Sequence, residues 1–189
     1  MLRSSLFSRF FPFWSLCLLA FAVSAAEEPP LVEALPNGVT VILKEKHAAP
    51  VVTVQVWVQT GLVDEGKYLG AGLSHFVEHL LFKGTPTRKP REFDRAILAA
   101  GGDLNGYTSV DRTVYHVTLP AENFDVALDG LADFVQYASF PEAEFAPERD
   151  VILSEIRMGQ DDPDRCFDYL VQRSLYHVHP YRHPVIGYE

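Results

Sequence analysis

His75, Glu78 and His79 form an H-x-x-E-H string. On a helix, residues four apart share one face, so the two imidazoles can serve one metal ion. Glu78 stands three residues from His75 and beside His79, close to that face. A carboxylate there can take a proton from a water that the ion activates, so the chemistry on offer is metal-assisted hydrolysis. The alternative is two core or surface histidines that happen to flank a glutamate, and the bare five-residue match leaves both open.

The surrounding sequence predicts the helix that this chemistry needs. Leu73, Phe76, Val77, Leu80 and Leu81 recur at helical spacing, residues 71–74 lead in, and Gly84 is expected as a left-handed cap. A catalytic zinc usually takes three protein ligands, so two histidines are not enough. A further helix is predicted from Pro147 to about Met158, and it carries Glu148 and Glu155 seven apart on one face with Val151 and Ile152. Metal ligation would account for Glu155, with Glu148 orienting a ligand or the water. Periodicity alone favours a plainer reading, a solvated face with Glu148 paired to Arg149 or Arg157. His177, His179 and His183 lie in a Pro-rich stretch that reads as a turn with surface histidines, and His47 and His116 are assigned no chemistry.

The other elements form the frame. Asn37-Gly38 is a turn signal ahead of a strand at 39–43, and residues 51–60 alternate Val52, Val54, Val56 and Val58 against polar positions, as a half-buried strand does. Residues 61–70 read as a polar loop leading to the motif helix. A helix is predicted over 92–100, a strand pair over 104–109 and 113–119, a helix over 124–138 with Val126, Leu128, Leu131, Phe134 and Val135 on its apolar face, and a helix over 165–176 after the breaker Asp161-Asp162-Pro163. This order predicts an α+β fold with a mixed or antiparallel sheet packed with helices.

The chain has 189 residues, enough for one domain with a core. Arg3 and Arg9, an apolar run over 10–23 and Ser24-Ala25-Ala26 have the layout of a secretory signal peptide cleaved after Ala25 or Ala26. The expected organisation is therefore a leader over 1–26 and a domain over 27–189, exported to the periplasm or secreted. No later stretch is long and apolar enough to span a membrane. The net charge is −9, and the leader holds two arginines and no acid, so the remainder is more acidic still. This acidic balance argues against nucleic acid as a partner. Cys166 is the only cysteine outside the leader, which leaves no internal disulfide.

Residues 72–85, GLSHFVEHLLFKGT, closely resemble the signature of the pitrilysin/insulinase family of zinc peptidases, which are inverzincins. That family includes mitochondrial processing peptidase and many exported bacterial members. Further resemblances follow in order: GGDLNGYTS at 101–109, Thr113-Val114-Tyr115, ERDVILSEI at 148–156, His179-Pro180-Tyr181 and Pro184-Val185-Ile186-Gly187. The resemblance covers about residue 31 to the end.

The resemblance implies a zinc-dependent endopeptidase. His75, His79 and Glu155 match the ligands of one zinc ion, Glu78 the catalytic base, Glu148 a supporting acid, and Asn105 a residue beside the site where substrate backbone binds. Gly106 stands where Ala is usual and Leu62 where Ser often stands; neither is expected to touch a ligand. Family members continue well beyond the equivalent of Glu189 and add a second domain, so the chain reads as an amino-terminal portion. The implied partners are peptide or unfolded protein substrates and a second peptidase-family chain. The rival reading is a non-catalytic fragment or subunit that binds zinc and peptide but needs another chain to complete its site.

Overall fold

The computed structural model describes residues 28–189. The expected leader lies outside the described residues. The chain divides into two compact units, with the boundary after Lys46.

In the first unit, β1 (Leu31–Ala34) and β2 (Thr40–Leu43) form an antiparallel hairpin in register Leu31↔Leu43 to Ala34↔Thr40. The turn signal at Asn37-Gly38 is where it bends: Asn37 Oδ1 accepts the Val39 N–H, and Gly38 has φ +88°.

The second unit carries a three-stranded antiparallel sheet in the order β3-β5-β4: β3 (Val51–Val58), β4 (Asp103–Thr108) and β5 (Thr113–Pro120). The central strand β5 pairs Val56↔Tyr115 on one side and Gly106↔Tyr115 on the other. The alternation read in residues 51–58 holds: the valines at even positions are half-buried, while Thr53, Gln55 and Trp57 face out. Helices α1 (Leu73–Leu81), α2 (Glu92–Ala99) and α3 (Phe124–Tyr137) pack on the inner face. The core between sheet and helices is built from Leu81, Phe93, Ile97, Val117, Leu131 and Phe134 among others. Helices α4 (Glu142–Gln160) and α5 (Pro163–Leu175) follow, with α4 against α1. The α+β expectation holds, and both sheets are purely antiparallel.

Several local expectations are corrected. Helix α4 begins at Glu142, so Pro147 lies inside it rather than in its first turn. Val151 is largely exposed; Glu148, Ile152 and Ile156 make the buried stripe instead. The buried face of α3 is Ala127, Gly130, Leu131 and Phe134, with Val126 and Leu128 exposed, because Gly130 lets the Phe93 ring lie against the helix backbone. Helix α1 ends at Phe82, and Gly84, at φ +109°, stands two residues beyond that cap. Residues 61–70, the polar loop leading to α1, hold two 3₁₀ turns in which Leu62 is fully buried and Glu65 almost so.

Helix α1 enters through Gly72 at φ +71°, a left-handed conformation that glycine adopts without strain. Its backbone lies against the segment near Gly187, which is itself at φ +86°. A Cβ on Gly72 would stand 2.2 Å from the Ile186 carbonyl oxygen, and one on Gly187 would stand 2.7 Å from the Ala71 carbonyl carbon.

Candidate metal centre

Helix α1 presents His75 and His79 on one side, with ring centroids 4.6 Å apart. Helix α4 crosses so that Glu155 Oε2 lies 3.9 Å from His75 Nε2 and 3.6 Å from His79 Nε2. The three donor atoms lie within 4.8 Å of one another, and they are the only such His/Cys/Asp/Glu group of three among the described residues. Three N and O donors about 2.1 Å from one tetrahedral ion would stand about 3.4 Å apart. The observed separations need only small side-chain adjustments to meet this, so the donor set fits a zinc-type ion.

The neighbours of this group are arranged in the same sense. Glu148, two turns before Glu155, brings Oε1 to 2.9 Å from His79 Nδ1. With Nδ1 engaged, Nε2 of His79 is left facing Glu155. Glu148 Oε2 is ion-paired with Lys83 at 2.5 Å. The alternative pairings of Glu148 are not made: Arg149 bonds Asp150 and Arg157 bonds Glu189. Burial alone would raise the Glu148 carboxyl, but hydrogen bonds and charge from Lys83 and His79 outweigh it and hold the group below its usual range. Burial, and then the neighbouring His79, push the His75 imidazole down from 6.5 to about 4, so it is neutral and able to donate a lone pair at neutral pH.

Glu78 is buried between α1 and β4. Burial raises its pKa; the hydrogen bond from Thr108 and the nearby His79 pull the other way without cancelling the rise, to which Glu155 adds. Thr108 Oγ1 donates to Glu78 Oε2 at 2.5 Å. Burial and then the Glu78 charge raise the pKa of Tyr115 beneath it, so the phenol stays protonated. A Cβ on Gly106 would stand 3.2 Å from Glu78 Oε1, so this position touches no metal donor but does border the carboxylate between the two histidines.

Asn105 lies on β4, which has one strand edge unpaired among the described residues. It lines the same cleft of about 450 Å³ as His75, Glu78, His79, Lys83 and Thr108. Its Oδ1 accepts the Gly106 N–H at 2.8 Å. All six residues singled out in the sequence, His75, Glu78, His79, Asn105, Glu148 and Glu155, therefore border one cleft. Thr108 and Lys83 were not assigned roles from the sequence, although both stand within the strings that carry the resemblance. His179 is used structurally instead: its Nδ1 accepts the Tyr181 N–H at the last 3₁₀ turn.

Residues 40–188 match the family model described as insulinase, peptidase family M16. The chain is 38% identical over 163 residues to a protein of Mycobacterium tuberculosis named an uncharacterized zinc protease, covering 86% of this chain and 37% of that relative. It is 35% identical over 156 residues to an Arabidopsis thaliana protein named "Probable mitochondrial-processing peptidase subunit beta, mitochondrial", covering 82% of this chain and 29% of the other. Among solved structures, a protease from Helicobacter pylori superposes with a TM-score of 0.76 at 30% identity, over 84% of this chain and 38% of that one. The chain thus spans well under half the length of the curated relatives it matches.

Proposed function

The chain belongs to the insulinase family of peptidases, family M16, and on that premise we propose that it is the amino-terminal catalytic portion of a zinc-dependent endopeptidase. The convergence of His75, His79 and Glu155 beside the buried carboxylate of Glu78 carries this reading. His75, His79 and Glu155 would hold one zinc ion. Bound there, zinc would supply Lewis acidity to polarise a peptide carbonyl and to make water a nucleophile near neutral pH. Glu78, its pKa raised by burial, accepts the proton of the attacking water and returns it to the leaving nitrogen. Thr108 fixes the rotamer of that carboxylate, and Glu148, held by Lys83, fixes the tautomer and direction of His79.

The substrate is an extended peptide or unfolded protein laid along the edge of β4 that is unpaired among the described residues, where backbone hydrogen bonds give affinity with little sequence preference. Asn105 Oδ1 there occupies the Gly106 N–H until substrate arrives. Residues 1–26 are proposed as a cleaved leader directing the domain over 27–189 to the periplasm or outside the cell; the test is amino-terminal sequencing of the exported protein.

A second reading rests on the share of its relatives that the chain covers. As given, it binds zinc and peptide without turnover and needs a second peptidase-family chain or domain to close the cleft. Hydrolysis of a quenched fluorescent peptide library by zinc-loaded protein separates the two, with Glu78→Gln and a chelator as controls. Cleavage lost in both controls supports the peptidase. One equivalent of zinc without cleavage supports the second reading. Wild-type rates from Glu78→Gln overturn the mechanism.

A further inference from the structure

Helix α1 begins without a capping side chain of its own. Its N-cap is Gly72, so the first-turn N–H groups must find acceptors elsewhere. The Phe76 N–H closes onto the Gly72 carbonyl. The Ser74 N–H instead donates to Glu65 Oε1 at 2.9 Å, and Ser74 Oγ donates to the Gly61 carbonyl at 3.0 Å. Glu65 is 6% exposed, and it forms no ion pair among the described residues. A buried carboxylate without a cationic partner is unusual. Here it faces the positive end of the helix that bears both histidines, where an anion is favoured.

Glu65 is itself fixed. Its N–H donates to the Leu62 carbonyl, and its carbonyl accepts the Tyr68 N–H. Leu62 is fully buried, and the N–H groups of Leu62 and Val63 donate to Ser109 and Val110 in the turn between β4 and β5. That turn directly follows Thr108. A continuous path therefore runs from the strand that holds Glu78, through residues 61–65, to Ser74, the residue before His75.

We propose that Glu65 is a positioning residue: its carboxylate replaces the cap that α1 lacks and so sets the direction in which His75 presents its imidazole. The inference rests on reading His75, His79 and Glu155 as a metal site. Its test is zinc affinity by chelator competition, the visible spectrum of the cobalt-loaded chain, and hydrogen exchange of the Ser74 amide, for wild type, Glu65→Ala and Glu65→Gln.

Glu65→Ala is expected to weaken zinc about 10-fold or more, as loss of a supporting contact to a ligand does. It should also change the cobalt spectrum and speed exchange at Ser74. Glu65→Gln keeps an acceptor oxygen and is expected to restore most of all three. A folded Glu65→Ala chain with wild-type affinity, spectrum and exchange overturns the proposal. If wild type takes up no zinc, the metal reading falls, and with it the role assigned to His75. Ser74 exchange would then report only whether Glu65 caps the helix.

Discussion

Thr108 Oγ1 and Glu78 Oε2 are joined by a 2.5 Å hydrogen bond that ties the motif helix to the inner face of β4. The carboxylate thus has one oxygen held by the sheet, and its pKa is raised rather than lowered in spite of that bond because burial dominates. Thr108→Val removes the donor and keeps the shape. The expected result is a drop in kcat of roughly 10-fold, part of the ~100-fold or more that a general base contributes, with zinc affinity unchanged. Thr108→Ser should stay near wild type. Peptide hydrolysis and zinc titration, run side by side, check both.

Lys83, Glu148 and His79 form a relay of contacts ending on one of the three donors proposed to hold zinc. Glu148→Gln is expected to weaken zinc by about 10- to 100-fold. Lys83→Met should cost less, about 10-fold, because it leaves the Glu148–His79 contact but removes the charge that helps hold the Glu148 carboxyl below its usual range. Chelator competition measures both, and a Lys83→Met chain that binds zinc as tightly as wild type would deny Lys83 this role.

His75 is held at about 4, against 6.5 for an ordinary imidazole, by burial and then by His79. Between those values the unfolded chain takes up a proton that the folded chain refuses. Without metal, the stability this gives is fully present above about 6.5 and is lost as the pH falls toward 4. The expected loss is on the order of 2 kcal/mol. Histidine NMR of the metal-free chain should show one imidazole titrating near the lower value, and the urea midpoint should fall from pH 7 to pH 4.5.

Gly130 lies directly under the Phe93 ring, and a Cβ there would stand 1.8 Å from Cε2. Phe93 is 2% exposed and stacks on Phe134, so it has little room to retreat. Gly130→Ala should destabilise the fold by about 3 kcal/mol, the upper end of the cost of overpacking. Any gain from better helix propensity is smaller. A chemical denaturation midpoint equal to wild type would show that the core yields more easily than its burial implies.

The parts of this structure that were legible in the sequence are those set by short-range geometry. His75 and His79 are one helical turn apart, so their shared face needs no knowledge of the fold. The valines of β3 announce their buried face by alternation. Glu155 is different: spacing placed it on a face with Glu148, but only the crossing of α4 over α1 brings it to the histidines, and the sequence reading of that face came from family resemblance. The start of α4 was misplaced because proline is most at home in a first turn, whereas here the helix begins earlier and tolerates Pro147 inside. Thr108, Lys83 and Glu65 carry no periodic signal at all. Each acts across a gap in the chain, and only packing reveals its partner.

The close backbone approach of Gly72 and Gly187 orders events in time. The helix that bears the two histidines is complete in sequence at Leu81, long before the segment its entry sits against. Glu155, the third proposed donor, arrives with α4, and the segment that closes on Gly72 arrives later still. A centre built on these donors would stay unfinished until α4 is made, and before then an ion would be held poorly because binding is coupled to folding. The entry of α1 is settled only once the segment near Gly187 has been made, so the helix that bears both histidines would be fixed after all three proposed donors exist.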